Sequence, residues 1–162
     1  MATEQRYAPA ARPLYTPEQR RRRDNTVWTL VQGVLAPVQF LVFIVSLILV
    51  LRFVFNGVGY EAANISVLIK TGFLYTIMIT GAILEKVVFG QYLMAPAFFW
   101  EDVFSFIVIG LHTLYVILAF SAGIDPMLVM AVALAAYAAY VVNATQFLLK
   151  LRQARLSEGK LA

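Results

Sequence analysis

Apolar residues run along this chain in four long stretches separated by short polar breaks. Residues 26–51 hold twenty-six positions without a charge, residues 103–124 twenty-two more, and residues 127–149 twenty-three more. A helix rises about 1.5 Å per residue, so roughly 20 apolar residues cross a hydrocarbon core about 30 Å thick. Each stretch is long enough. A fourth, over residues 62–84, carries one charge, Lys70, near its start. A lysine there is expected to snorkel toward the interface.

The pattern predicts an all-α integral membrane protein with four transmembrane helices in one bundle. Its membrane domain covers residues 16–155, with spans over 27–51, 62–84, 103–124 and 127–149. Residues 1–15, rich in Ala, Pro and Arg, are expected to form a mobile cytoplasmic tail, and residues 156–162 are expected to form a cytoplasmic tail at the other end. The first span is too long for a signal peptide and lacks a small-x-small cleavage site.

Local signals support these borders. Thr16-Pro17-Glu18-Gln19 reads as an N-cap, a proline at the first helical position and a capping-box glutamine. Helix one is therefore expected to begin as a basic surface turn before entering lipid. Asp125-Pro126 starts helix four in the same way, and Asn56-Gly57-Val58-Gly59 is a turn. Pro37 implies a local kink in helix one.

Composition narrows the chemistry. The chain of 162 residues is 61% hydrophobic and 14% charged, where soluble domains carry about 25% charge. It has no cysteine and one histidine, which excludes disulfides, thiolate-bound metals and two-histidine haem ligation within one chain. No redox cofactor or intrinsic metal is expected. Arg6, Arg12, Arg20, Arg21, Arg22, Arg23, Lys86, Lys150, Arg152, Arg155 and Lys160 fall on one side of the bundle, and only Arg52 and Lys70 on the other. Basic flanks stay inside, so both termini are expected in the cytoplasm. The Arg20–Arg23 run is read as a topology anchor rather than a nucleic-acid patch.

Polar residues within lipid are the informative ones. Gln32, Gln39 and Ser46 recur every seven positions on one stripe of helix one, which must face other helices. In helix three, Glu101, Ser105 and His112 share a face and form a polar track running inward from the cytoplasmic edge. His112 lies ten residues beyond Asp102, about 15 Å deeper. It is either a functional group or a neutral imidazole bonded between helices. Helix four is rich in alanine from Ala131 to Ala139, which suits close packing or a slot for a flat ligand. Asn143, Gln146 and Lys150 follow toward its cytoplasmic end.

The connection over residues 85–102 is as apolar as the helices, with its four charges in two pairs, Glu85-Lys86 and Glu101-Asp102. It is either an interfacial aromatic belt or a lid folded over a site. A carboxyl group kept from water favours its neutral form. Lys86 is expected to hold Glu85 ionised, and two carboxyls in different environments make an acid/base pair. Glu85, Glu101, Asp102, Asn143, Gln146 and Gln32 are all expected at one end of the bundle.

Several of these strings carry a resemblance. They are Glu85-Lys86-Val87-Val88-Phe89-Gly90-Gln91, Ala95-Pro96-Ala97-Phe98-Phe99-Trp100-Glu101-Asp102 and Leu111-His112-Thr113, with Tyr15-Thr16-Pro17-Glu18-Gln19-Arg20, Leu35-Ala36-Pro37-Val38-Gln39-Phe40 and Asn143-Ala144-Thr145-Gln146-Phe147. Over roughly residues 14–155 the chain resembles the 3-vinyl bacteriochlorophyllide (chlorophyllide) hydratase family of bacteriochlorophyll biosynthesis. The resemblance implies addition of water to the 3-vinyl group of chlorophyllide a or its bacteriochlorophyllide counterpart, giving a 1-hydroxyethyl group. It also implies a photosynthetic bacterial membrane, a magnesium chlorin as partner and association with other pigment-synthesis enzymes. On this reading Glu101 or Asp102 is the general acid and Glu85 positions or deprotonates water. His112 is the base or an axial ligand to the substrate's magnesium. Phe98, Phe99 and Trp100 contact the ring, and Gln39, Ser105, Asn143 and Gln146 orient water or ring carbonyls. A pigment carrier would share the slot, the aromatics and the histidine, but would not need the carboxyls.

Overall fold

The computed structural model describes residues 13–158. Residues 1–12 of the tail expected over residues 1–15, with Arg6 and Arg12, and the tail end with Lys160 lie outside the described residues. Five helices follow in order: α1 (Pro17–Asn25), α2 (Val27–Asn56), α3 (Tyr60–Phe89), α4 (Phe99–Ala119) and α5 (Pro126–Glu158). The last four are long and apolar enough to cross a membrane.

α1 is a separate helix rather than the first turn of α2. Its start is the expected capping box: Gln19 N–H donates to Thr16 Oγ1 at 3.2 Å, and Thr16 N–H donates to Gln19 Oε1 at 2.9 Å. It ends because Thr26 adopts extended backbone, which lets the Thr26 hydroxyl accept from Trp28 N–H and cap α2. The chain thus turns between the arginine-rich segment and the lipid-spanning one. Just before α1, Tyr15 is buried and stacks on Phe89 with centroids 5.7 Å apart. The end of the expected mobile tail is therefore docked.

The membrane helices form two antiparallel hairpins, α2/α3 and α4/α5, which pack on each other mainly through α2 and α5 and through α3 and α4. The first hairpin turns on Gly57 (φ 70°) and Gly59 (φ 86°), left-handed conformations that favour glycine. α3 runs on to Phe89 and α4 begins at Phe99, so most of the charged connection is helical and only residues 90–98 form a link. The third span stops at Ala119, short of the expected residue 124, where Ser121 Oγ donates back to the Ile117 carbonyl at 2.7 Å.

Inside, Phe43, Val50, Val67, Val108, Tyr115, Met130, Ala133 and Tyr137 make the core. Polar groups within it are paired between helices, as lipid requires. Ser46 Oγ meets Ser66 Oγ at 2.7 Å and Tyr137 Oη at 2.5 Å, and Tyr115 Oη bonds Asn64. Gln32 Nε2 donates to Thr80 Oγ1 at 2.6 Å and to the Ile77 carbonyl at 3.1 Å. The glutamine stripe is thus interhelical, but Gln32 bonds within the α2/α3 hairpin and not to the acidic residues. Ala133 and Ala136 are fully buried, so the alanine-rich face is close-packed rather than open as a slot.

Two glycines offer opposite tests. A Cβ on either Gly59 or Gly72 meets nothing within 4 Å. Gly59→Ala forces a left-handed alanine and should cost about 1 kcal/mol. Gly72→Ala, inside α3, should add about 0.5–1 kcal/mol. Thermal unfolding in detergent should shift in opposite directions for the two variants; shifts of the same sign would contradict the backbone account.

Candidate functional site

The carboxyl groups expected at one end of the bundle do meet there, through the short link between α3 and α4. Glu85 sits on the last turns of α3, and Glu101 and Asp102 on the first turn of α4. Glu101 and Asp102 are buried and Glu85 half-buried. The Glu85 and Asp102 carboxyls lie within hydrogen-bonding reach of each other. A hydrogen bond between two carboxyls needs a proton on one of them, since an ionised carboxylate only accepts.

The link itself is bent to serve this pair. Met94 has φ 61°, and no other non-glycine residue has positive φ among the described residues. A left-handed residue with a side chain costs about 1–2 kcal/mol. Here it aims successive backbone N–H groups at the acids. Met94 N–H donates to Asp102 Oδ2 at 2.7 Å, and Ala95 N–H donates to Glu85 Oε2 at 3.4 Å. The shorter bond makes Asp102 the better-held acceptor and leaves Glu85 as the member that bears the shared proton. Lys86 takes no part: its Nζ donates to the Gly90 carbonyl at 2.7 Å and lies over the Tyr92 ring. The expected Glu85–Lys86 pairing is corrected accordingly, because consecutive residues point to different sides of a helix.

Glu101 has a different partner. Lys150 Nζ donates to Glu101 Oε2 at 3.0 Å, across from α5. One turn deeper, Asn143 Nδ2 donates to Ser105 Oγ at 2.9 Å, and Ser105 Oγ donates to the Glu101 carbonyl at 2.8 Å. Asn143, Gln146 and Lys150, spaced three and four apart, thus turn one strip of α5 toward the acidic turn of α4. Lys150 was visible in the sequence on this strip but not as a partner of Glu101, because no spacing rule relates residues 49 apart in the chain.

The aromatic residues at the end of the link divide between the interior and the surface. Phe98 is buried among Tyr15, Phe89 and Phe147, with centroids 5.9–6.2 Å apart. Phe99 and Trp100 are exposed, 43% and 65%, and meet edge to face. Of the three aromatic residues expected to touch a ring, only the latter two are open to one.

His112 stands apart. It is fully buried, and at about 1.5 Å per residue it lies some 15 Å along α4 from Asp102. Its Nδ1 is 2.8 Å from the Val108 carbonyl, which can only accept, so Nδ1 carries the hydrogen. Nε2 then accepts from Lys70 Nζ at 2.9 Å. Lys70 is itself fully buried, its amino group 3.8 Å above the Tyr140 ring centroid. The expectation for Lys70 changes: it points into the bundle and does not snorkel. Of the two alternatives for His112, the contacts fit the neutral imidazole bonded between helices, with both nitrogens engaged.

Among the grooves at the surface, one of about 290 Å³ lies between α2 and α3, lined by Leu41, Val42, Val45, Ser66 and Ile69. Another, of about 310 Å³, lies along α1 beside Glu18, Arg21, Arg22 and Asn25. Neither adjoins the carboxyls. Among the described residues no group of three metal-ligating side chains is present.

Comparison with known proteins points to one family. A family model for 2-vinyl bacteriochlorophyllide hydratase (BCHF) matches residues 15–153. A curated relative from Rhodobacter capsulatus, named 2-vinyl bacteriochlorophyllide hydratase, is 69% identical over 148 residues, covering 91% of this chain and 86% of the relative. One of the same name from Cereibacter sphaeroides is 68% identical over 151 residues, covering 92% and 94%. No solved structure matches the chain.

The Lys70–His112 contact makes a measurable claim. His112→Leu leaves the Lys70 amino group buried without its partner and should cost about 3 kcal/mol, whereas Lys70→Met/His112→Leu, with neither polar group present, should recover most of that. Thermal unfolding of the two single variants and the double variant in detergent gives the coupling. Additive losses would show that the contact contributes nothing.

Proposed function

The chain belongs to the 2-vinyl bacteriochlorophyllide hydratase family, and on that premise we propose how its carboxyl cluster adds water to a vinyl group. The protein is a hydratase, a hydro-lyase, of bacteriochlorophyll biosynthesis acting on a bacteriochlorophyllide. The family name gives the vinyl group the number 2 in place of 3. The chemistry depends only on conjugation of the vinyl to the macrocycle. The four apolar helices suit a membrane protein of a photosynthetic bacterium. In this proposal it is multi-pass with both ends cytoplasmic, as the basic flanks favour.

Hydration needs a proton donor for the outer vinyl carbon and an acceptor for the proton that water loses. The observation that carries the assignment is the unequal partnering of the three acids. Glu85 bears the proton it shares with Asp102 and is the general acid. Asp102, held by Met94 N–H, accepts the hydrogen bond from Glu85 and keeps that proton in place until the vinyl carbon takes it. Protonation of the outer carbon makes it a methyl group and leaves a positive charge on the inner carbon, spread into the conjugated ring. Water bonds to the inner carbon and gives a proton to Glu101, the carboxylate that Lys150 pairs. The product carries a hydroxyl and a methyl, and transfer of the proton from Glu101 back to the Glu85–Asp102 pair resets the site. Each turnover consumes one water and no net proton.

The macrocycle approaches from the bilayer, with exposed Phe99 and Trp100 as its apolar contact. Ser105 and Asn143 brace Glu101 from behind. His112, bonded on both sides and about 15 Å deeper, is assigned to the Lys70 contact and not to the proton transfers.

In detergent with a vinyl bacteriochlorophyllide, Glu85→Gln and Glu101→Gln should each lower the hydration rate at least 100-fold while pigment still binds, in line with the usual contribution of positioned acids and bases. Lys150→Met should slow hydration about tenfold or more, and Lys150→Arg should restore most of it. Absorbance and mass of the product report turnover. Full activity of Glu85→Gln would remove the assignment of the acid.

A further inference from the structure

A hydratase set in lipid must hold its second substrate, water, where bulk water is scarce. Three side-chain oxygens at the cytoplasmic half of the bundle are buried with no hydrogen-bond donor among the described residues: Gln39 Oε1, Asn143 Oδ1 and Gln146 Oε1. Gln39 is 2% exposed and Asn143 8%. Buried amide oxygens are rarely left unpaired, and each one so left is costly.

They lie close together by register. α2 and α5 are antiparallel, and Ser46 meets Tyr137 while Phe43 meets Tyr140. Continuing one turn toward the cytoplasm along α2 brings Gln39 level with the Asn143–Ala144 pair of α5. Gln146 follows Asn143 by three residues on the strip that ends at Lys150. Asn143 in turn bonds Ser105, one turn below Glu101. The three oxygens therefore sit at the corner of α2, α4 and α5, behind the acid that receives the proton from water.

All three unpaired atoms are acceptors. A ring ketone or ester, also an acceptor, cannot satisfy them. Only a molecule that donates hydrogen bonds can, and water offers two such bonds and is small enough for a close-packed corner. We infer that Gln39, Asn143 and Gln146 form a water site that supplies the nucleophile to Glu101, rather than a set of contacts to the pigment's carbonyls. This rests on the assignment of Glu101 as base and narrows it, by separating capture of the cation by water from its formation by Glu85.

The two steps have separate readouts. A cation formed in D2O and not captured by water returns a proton to the protein and regenerates the vinyl group with deuterium on its outer carbon. Adding methanol to the medium reports discrimination, since an unselective site yields methyl ether in proportion to the bulk. The Gln39→Leu/Gln146→Leu variant, bound to a vinyl bacteriochlorophyllide, should hydrate at least tenfold more slowly than the unaltered protein. It should incorporate more deuterium per product formed and yield a larger methyl-ether fraction. Glu85→Gln, in contrast, should lose exchange and hydration together, so failure of the acid assignment is seen on its own. Unchanged hydration and partition in the double variant, or loss of exchange in step with hydration, would overturn the water site. If the double variant does not fold, Gln146→Met, at a half-buried position, is read by the same two ratios.

Discussion

A polar group inside this bundle has to find its partner in the protein or in a water held there, because hydrocarbon offers none. That constraint explains the positions of nearly all its buried hydrogen bonds. Ser46 joins α2 to α3 and α5, Gln32 ties α2 to α3, and Asn143 and Lys150 tie α5 to α4. Since the hydrophobic effect does not drive helices together in lipid, these contacts and the close approach at Ala133 and Ala136 fix how the two hairpins meet.

The same constraint distinguishes three chemically similar acids. Glu85, Glu101 and Asp102 sit within one end of the bundle, yet each has a different neighbour: another carboxyl, a lysine, a backbone N–H. Separate environments are how one kind of side chain serves as both acid and base. The strained Met94 backbone belongs to this arrangement, since a residue is held in such a conformation only when its surroundings compensate.

The deep Lys70–His112 contact shows the limit of reading function from rarity. An ionisable residue in a membrane helix is a functional candidate by default, and the single histidine was the obvious one. In the folded protein it accepts from a buried lysine lying over Tyr140, far from the acids. Two costly groups on α3 and α4 satisfy each other and join the hairpins at mid-depth.

What the order of residues determined by itself was local or periodic: four spans from run length, the capping box at Thr16, the glycine turn at Gly57 and Gly59, the polar stripe of α2 and the inward track of α4. Each depends on helical rise, helical period or backbone sterics, which act between near neighbours. Family membership was legible too, because it lies in strings of residues rather than in shape. Tertiary structure alone decided which charge meets which. It turned Lys86 away from its sequence neighbour Glu85, brought Lys150 to Glu101 and Lys70 to His112, buried Phe98 and left Phe99 and Trp100 outside. These pairings depend on the rotation and register of one helix against another. A single residue's step turns a side chain about 100° around its axis, so partners far apart in the chain are chosen only when the helices pack.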